Sequence, residues 1–149
     1  MLGQAGFEAY EVSNHACGVA ARSVHNLHVW RGRDYLGIGP GAHGRLTLDG
    51  VRTATIAHRG VADYVAGVEA GTPWAERAAL SPAEEKVLLG LRTVEGVSLA
   101  VLADLQILPV DRPLAGLIED GFLALSDGRV AATARGRPVL DGVLKALLT

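Results

Sequence analysis

Cysteine and aromatic residues are scarce in this sequence, and positive and negative charges are nearly balanced. Its one cysteine, Cys17, cannot close an internal disulfide, and one thiol cannot hold a zinc ion or an iron–sulfur cluster without partners. This cysteine usage favours a reducing compartment, so we expect a cytoplasmic protein. The formal net charge of −2 lacks the basic excess with which proteins attract nucleic acid, so we expect no nucleic-acid partner.

Long apolar runs and signature motifs of catalysis are missing as well. No run of about 18 apolar residues could span a bilayer, and no basic segment followed by an apolar one resembles a leader, so we predict no transmembrane segment. The chain contains no HExxH, CxxC or GxSxG motif. These absences leave no catalytic residue to name, and they predict no metal site in this chain.

The first part of the chain, up to about residue 57, is typical of strands and loops. Gly6 closes what resembles the last turn of a helix, and alternating residues from Phe7 to Val12 predict a strand. A short buried strand is predicted at 35–39. Asp49-Gly50 supplies the positive φ angles of a type I′ turn and predicts a hairpin over 45–56.

A helix and a loop follow, over residues 58–79. The apolar spacing predicts a helix over 59–70 that ends at Gly71. Its predicted inward face consists of Val61, Tyr64, Val65 and Val68. Pro73 and Trp74 then indicate a loop.

A second unit begins near residue 80, where several helix-start signals come together. Ser81 can cap a helix, Pro82 suits the first position and Glu84 completes a capping box. Further helices are predicted after Ser98 and over 113–120. Asp127-Gly128 predicts a hairpin, and a final helix is expected from about Thr133. The residues predicted to face the core from that last helix are Val139, Leu140, Val143, Leu144 and Leu147.

Three helices, a hairpin and a last helix are the order of a winged-helix unit. The candidate recognition helix, LAGLIEDG, contains two acids and no base, whereas DNA readout depends on Arg and Lys from that helix. We therefore expect no DNA partner. A winged-helix interaction module without a cofactor is one function that this order allows.

Residues 23–44 hold three of the five histidines, one of the two tryptophans and five glycines. His25 and His28 would share one face of a helix, but a zinc site would need a further ligand. The glycines of 37–44 permit a ligand ring to lie against the backbone, and they equally permit a tight turn into the hairpin. Spacing alone does not decide between these two interpretations.

Five collinear blocks carry a family resemblance. They are YEVSNHA (10–16), HNLHVW (25–30), YLGIGPGAHG (35–44), LLGLRTVEGV (88–97) and ATARGRPVLDGVLKALL (132–148). Together they resemble the C-terminal part of the oxygen-independent coproporphyrinogen III oxidase-like proteins of the radical-SAM family, in particular the HemW branch of heme chaperones.

The resemblance implies an α+β fold and a division of the chain into three segments. Residues 1–57 would be the last strands of a partial (β/α) barrel, 58–79 a connecting helix and loop, and 80–149 a winged-helix-like C-terminal domain. In the family, the barrel holds a [4Fe–4S] cluster on a CxxxCxxC motif and binds S-adenosylmethionine. This chain lacks that motif, so we expect a C-terminal fragment that is itself inactive as an enzyme.

The resemblance also implies roles for individual residues. The HNxxYW motif of the chaperones corresponds to His25, Asn26 and Trp30, which are the implied heme-binding residues, with Val29 in place of the tyrosine. His28 is a candidate substitute ligand. The implied residues of the S-adenosylmethionine pocket are Ala16, Gly39, Gly41 and His43.

The function implied is that of a chaperone that binds heme and delivers it to recipient hemoproteins, with at most weak heme binding by this chain alone. The alternative from the same resemblance is oxidative decarboxylation of coproporphyrinogen III in porphyrin biosynthesis. Asn14 and His15 favour the chaperone, because the oxidases resemble DHFA at the position of SNHA. An unpaired strand edge would also favour a homodimer.

Overall fold

The computed structural model describes residues 2–79 and 81–149, which form two compact units. The first, which we call the split unit, comprises the chain up to Gly32 together with Ala83–Thr149. The second, the middle unit, is Arg33–Pro82. These limits differ from the predicted boundaries near residues 57 and 80. The assignment of 1–57 to a barrel remnant therefore stays a prediction.

The secondary structure mixes short helices with small antiparallel sheets. The strands are β1 Glu8–Glu11, β2 Asn14–Ala16, β3 His43–Leu48, β4 Val51–Ala57, β5 Trp74–Ala79, β6 Val97–Ser98, β7 Leu123–Ser126 and β8 Arg129–Ala132. The α-helices are α1 Val24–Trp30, α2 Val61–Glu69, α3 Pro82–Gly90, α4 Leu99–Asp104, α5 Arg112–Glu119 and α6 Leu140–Leu148. The predicted α+β class is confirmed at this level of a mixed structure.

The split unit has the main hydrophobic core. Strands β6, β8 and β7 form a sheet in that order, with Asp127 and Gly128 at positive φ in the predicted turn. The core is lined by buried side chains from α3 to α6 and from this sheet: Val87, Leu91, Val97, Leu102, Leu114, Leu123, Val130, Ala132, Leu140, Val143, Leu144 and Leu147. Burial of these side chains is the principal stabilisation of the unit.

Strand β1 joins the start of the chain to the loop after α3. The amide of Val12 donates to the Arg92 carbonyl at 2.7 Å, and the amide of Val94 donates to the Tyr10 carbonyl at 3.1 Å. Tyr10, Ala16 and Leu27 form a second, small buried cluster. The Tyr10 hydroxyl accepts from the amide of Ser23 at 3.2 Å. These bonds fix the position of α1, which follows Ser23 directly.

The middle unit is a three-stranded antiparallel sheet, β3-β4-β5, with α2 between the last two strands in sequence. The predicted hairpin is confirmed, with Asp49 at φ 51° and Gly50 at φ 77°. Strand β5 was predicted as a loop. This prediction was wrong because WAERAA has little apolar alternation, and in the structure most of its residues are exposed.

Two predictions of burial in the middle unit were also wrong. Residues 35–39 form no strand beyond one bridge between Tyr35 and Arg45, and Leu36 and Ile38 are 57% and 79% exposed. Helix α2 lies where it was predicted, but Val61, Val65 and Val68 are exposed. Apolar spacing predicted burial of these side chains, and in the described part of the chain they remain exposed.

The remaining differences lie in the split unit. Helix α1 falls in a region predicted as strand and loop, and β6 was not predicted. Helix α4 begins after Ser98, whose hydroxyl accepts from the amide of Val101, as predicted. The last helix begins at Leu140 rather than near Thr133, because a short 3-10 turn over Arg137–Val139 precedes it, and Val139 is exposed.

Candidate functional site

Helix α1 carries the predicted heme-binding residues and starts with a conventional cap. The Ser23 hydroxyl accepts a hydrogen bond from the amide of Asn26 at 3.2 Å, which satisfies one of the free amides of the first turn. Leu27 is buried against the small cluster with Tyr10 and Ala16. Burial of Leu27 fixes the orientation of the helix. The faces that carry His25, Asn26, Val29 and Trp30 line a cleft.

One cleft brings the predicted heme-binding residues together. It has a volume of about 360 Å³ and is lined by Glu11, Val12, Ser13, Asn14, His25, Asn26, Val29 and Trp30. Positions 25 and 29, like positions 26 and 30, are one helical turn apart, so their side chains share a face. His28, the candidate substitute ligand, is half-buried and does not line the cleft.

Glu11 is a site residue that sequence reasoning missed. Its side chain is 2% exposed, and its Oε1 accepts hydrogen bonds from the side-chain amides of Asn14 and of Asn26, the second at 3.2 Å. Its Oε2 is buried and has no hydrogen-bond partner within residues 2–79 and 81–149. A glutamate in an alternating strand is expected to face solvent, so the sequence offered no reason to place Glu11 in a site. Its burial depends on two asparagines, Asn14 and Asn26, whose positions relative to Glu11 are set by the fold.

Trp30 also lines a second cleft, of about 250 Å³, whose lining includes three basic side chains, Arg31, Lys86 and Arg129. The Arg31 guanidinium donates to both carboxylate oxygens of Glu95, at 2.5 and 3.1 Å. This hydrogen bond lowers the pKa of Glu95 and raises that of Arg31. Arg129 is fixed differently, because it donates to the carbonyls of Glu95 and Gly96 at 2.7 and 2.8 Å.

Trp30 also contacts a cation on its ring face. The guanidinium carbon of Arg92 lies 5.8 Å from the ring centroid, within the range of a cation–π contact. Arg92 in turn donates to the carboxylate of Asp141 at 3.2 Å. The indole is therefore held in place by the loop after α3, while part of its surface remains open to the clefts.

The residues predicted for the S-adenosylmethionine pocket lie in both units. Ala16 is in the split unit, on β2, and is buried in the small cluster. Gly39, Gly41 and His43 are in the middle unit, where His43 is exposed at the start of β3. The amide of Gly39 donates to the Tyr64 hydroxyl at 3.0 Å, so the glycine-rich run contacts α2.

The glycine-rich run packs closely against its own backbone. A Cβ at Gly37 would lie 2.3 Å from the carbonyl oxygen of His43, and one at Gly44 would lie 2.6 Å from the Thr55 hydroxyl. Residues 39–44 have the spacing GxGxxG, but the chain continues into β3 rather than opening a helix, unlike a dinucleotide-binding loop. The tight-turn interpretation thus explains Gly37 and Gly44.

The described part of the chain contains no set of side chains that could ligate a metal ion. No group of three or more His, Cys, Asp or Glu side chains is placed to hold an ion among residues 2–79 and 81–149, and Cys17 is exposed. A cluster bound by three thiolates does not fit a sequence with one cysteine.

None of the helices described is long and apolar enough to cross a bilayer.

Comparison with known proteins gives concordant matches. Residues 80–139 match the HemN C-terminal domain. The chain is 34% identical to the heme chaperone HemW of Mycobacterium tuberculosis, over 99% of this chain and 36% of the relative. It is 32% identical to HemW of Bacillus subtilis, over 96% and 38%. With the mitochondrial radical S-adenosyl methionine domain-containing protein 1 of Danio rerio it shares 33% identity, over 99% and 36%.

A solved structure shows the same fold. Coproporphyrinogen III oxidase (HemN) from Escherichia coli, a radical SAM enzyme, superposes with a TM-score of 0.66 at 18% identity, over 99% of this chain and 38% of that one. The chain thus spans a little over a third of the length of the relatives that it matches. These matches and the domain match together place the chain in the HemW-type radical-SAM family, in the part of those proteins that contains the HemN C-terminal domain.

Proposed function

We propose that this chain is the C-terminal part of a heme chaperone and that the cleft of His25 receives the heme. The observation that carries this proposal is the placement of His25, Asn26 and Trp30 on one wall of a single cleft. A neutral imidazole can ligate heme iron, and an indole can cover the apolar face of a porphyrin. The M. tuberculosis and B. subtilis relatives are named heme chaperones.

The replacement of the motif tyrosine by Val29 is compatible with this role. Val29 lines the cleft one turn after His25, where an aliphatic side chain offers apolar contact to a porphyrin but no hydroxyl. The heme would then depend on His25 for its bond to iron and on Val29 and Trp30 for apolar contact. Recipient hemoproteins are the implied partners.

The finer architecture belongs to the same proposal. Residues 1–57 would complete a partial barrel in a longer protein, and 80–149 would form the winged-helix-like domain. Ala16, Gly39, Gly41 and His43 would contribute to a pocket for S-adenosylmethionine. We assign no radical chemistry to this chain, because its single cysteine cannot replace the three thiolates of a cluster.

Titration of the purified chain with hemin, followed by its Soret absorbance, tests the assignment. We expect weak binding by the wild type and loss of most of that affinity in His25→Ala, because the iron loses its axial ligand. His28→Ala is the matched control, since His28 lies on the same helix but outside the cleft. Equal heme affinity in His25→Ala and the wild type would contradict the proposal.

Decarboxylation of coproporphyrinogen III is the competing function. SNHA at residues 13–16 departs from the DHFA of the oxidases, and the side chain of Asn14 donates to Glu11 within the cleft. An assay of coproporphyrinogen turnover by the full-length protein, in parallel with heme titration of that protein and of its His25→Ala variant, distinguishes the two. Turnover accompanied by a heme affinity that does not depend on His25 would favour the oxidase.

A further inference from the structure

Glu11 has a feature that the proposed function leaves unexplained. Both its carboxylate oxygens are buried, yet only Oε1 is bonded, to the amides of Asn14 and Asn26. A buried acceptor without a partner is unfavourable, because it has lost its bonds to water and gained none in return. Such an atom beside a cleft is poised for a donor that arrives or turns when the cleft is filled.

The cleft itself contains few donors that could serve Oε2. The side-chain amides of Asn14 and Asn26 already donate to Oε1, and Arg92 contacts the face of the Trp30 ring, which leaves the indole N–H as a donor. The Ser13 hydroxyl, the Trp30 indole N–H and the His25 ring remain, and all three side chains line the cleft. Of these, only the His25 ring has a second nitrogen that could ligate iron while the first donates. His25 is exposed, and its ring takes part in none of the side-chain hydrogen bonds described above for residues 2–79 and 81–149.

Metal-bound histidines have a recurrent requirement that matches this pair. A histidine that ligates a metal through one ring nitrogen almost always donates its other ring N–H to a carboxylate, a backbone carbonyl or water. That bond fixes the tautomer and makes the imidazole a stronger ligand. Asn26, the residue after His25, is already bonded to the same carboxylate, so Glu11 is tied to the first turn of α1.

We propose that Glu11 is the positioning residue of His25: when heme iron is bound by one ring nitrogen of His25, the other ring nitrogen donates its hydrogen to Glu11 Oε2. This inference rests on the proposed heme site and adds a residue that the HNxxYW motif does not contain. The imidazole turns from its exposed position toward the carboxylate on binding. Oε1 meanwhile keeps its bonds to the two asparagines.

Glu11→Gln tests this arrangement, because glutamine preserves the length of the side chain and one acceptor oxygen while an amide replaces the other oxygen. We expect hemin affinity to fall about ten- to hundredfold, the usual effect of losing such a partner. We also expect the reduction potential of bound heme to shift to a more positive value, since a less basic imidazole stabilises ferric iron less. Glu8→Gln, on the exposed end of the same strand, is the matched control.

The outcomes separate this inference from the proposed function. If His25→Ala abolishes heme binding but Glu11→Gln leaves both affinity and potential unchanged, the positioning role is wrong and the heme site stands. If His25→Ala binds as the wild type does, the heme site itself is wrong. Should Glu11→Gln not fold, Glu11→Asp is the substitute, because it keeps a carboxylate but moves it away from His25 by one methylene. An unchanged reduction potential of the heme bound to Glu11→Asp would equally overturn the inference.

Discussion

Asp34 of the middle unit and Glu11 of the split unit are carboxylates with opposite surroundings. In the middle unit Asp34 is exposed and accepts from the Thr47 amide at 2.6 Å, the Thr47 hydroxyl at 2.9 Å and the Arg52 guanidinium at 2.7 Å. In the split unit Glu11 is buried, and one of its oxygens has no hydrogen-bond partner in the described chain. Asp34 bonds to both strands of the β3–β4 hairpin, whereas Glu11 leaves hydrogen-bonding capacity inside a cleft. The contrast is between a carboxylate with several hydrogen bonds in the middle unit and one with an unused acceptor in the split unit.

The largest effect that tests this contrast concerns packing. Leu102 is fully buried in the core of the split unit, whereas Leu36 of the middle unit is mostly exposed. We expect Leu102→Ala to lower the free energy of unfolding by about 2–5 kcal/mol, because it removes apolar contacts and leaves a cavity. Leu36→Ala should change it by less than about 0.5 kcal/mol. Urea unfolding of both variants measures the difference, and similar losses would show that the middle unit buries Leu36.

A pair of glycines gives the next largest effect, with opposite signs in the two units. Gly37→Ala should destabilise the middle unit by about 1–3 kcal/mol, because the new Cβ would meet the His43 carbonyl oxygen at 2.3 Å. Gly116 lies in helix α5 with nothing within 4 Å of such a Cβ. Gly116→Ala should therefore stabilise the split unit by about 0.5–1 kcal/mol. Thermal unfolding followed by circular dichroism would detect both changes, and a neutral Gly37→Ala would argue against the tight turn.

The smallest effect is the pH dependence contributed by Asp34. The hydrogen bond from the Thr47 amide, with those from the Thr47 hydroxyl and Arg52, holds the pKa of Asp34 below its usual value of 3.8. A depressed pKa means that this carboxylate stabilises the folded state above pH 3.8 and that the stabilisation is lost as the pH falls through the lower, folded value. Asp34→Asn should therefore flatten the acid side of the stability curve. Unfolding midpoints measured between pH 2 and pH 6 test this prediction. Identical curves for the wild type and Asp34→Asn would show that Asp34 does not contribute to the pH dependence of stability.

The sequence was most informative where a local rule is strict. Asp49-Gly50 and Asp127-Gly128 predicted two hairpins because few residues adopt positive φ, and both turns have it. Helix α1 was missed because seven residues with histidines and a tryptophan have no clear apolar period, although Ser23 was an available cap signal. Strand β5 was missed because its side chains are mostly exposed, so its pairing with β4 leaves no apolar pattern.

The candidate site could be predicted only in part for a similar reason. The HNxxYW resemblance named His25, Asn26 and Trp30, and the structure brings them to one cleft. Glu11 depends on tertiary contacts, since Asn26 reaches it from another element, and no spacing rule predicts such a meeting. Its missing hydrogen bond is visible only when every neighbour has been placed.

The backbone bonds between β1 and the loop after α3 have a consequence for synthesis of the chain. Tyr10 and Val12 pair with Val94 and Arg92, so β1 obtains these partners only after the whole middle unit has been translated. Contacts between distant parts of a chain form late because closing a long loop is entropically unfavourable. We therefore expect the β3–β4 hairpin to form on the ribosome before the cleft does. A nascent chain that stops before Arg92 would present His25 on a helix whose supporting strand has not yet been anchored.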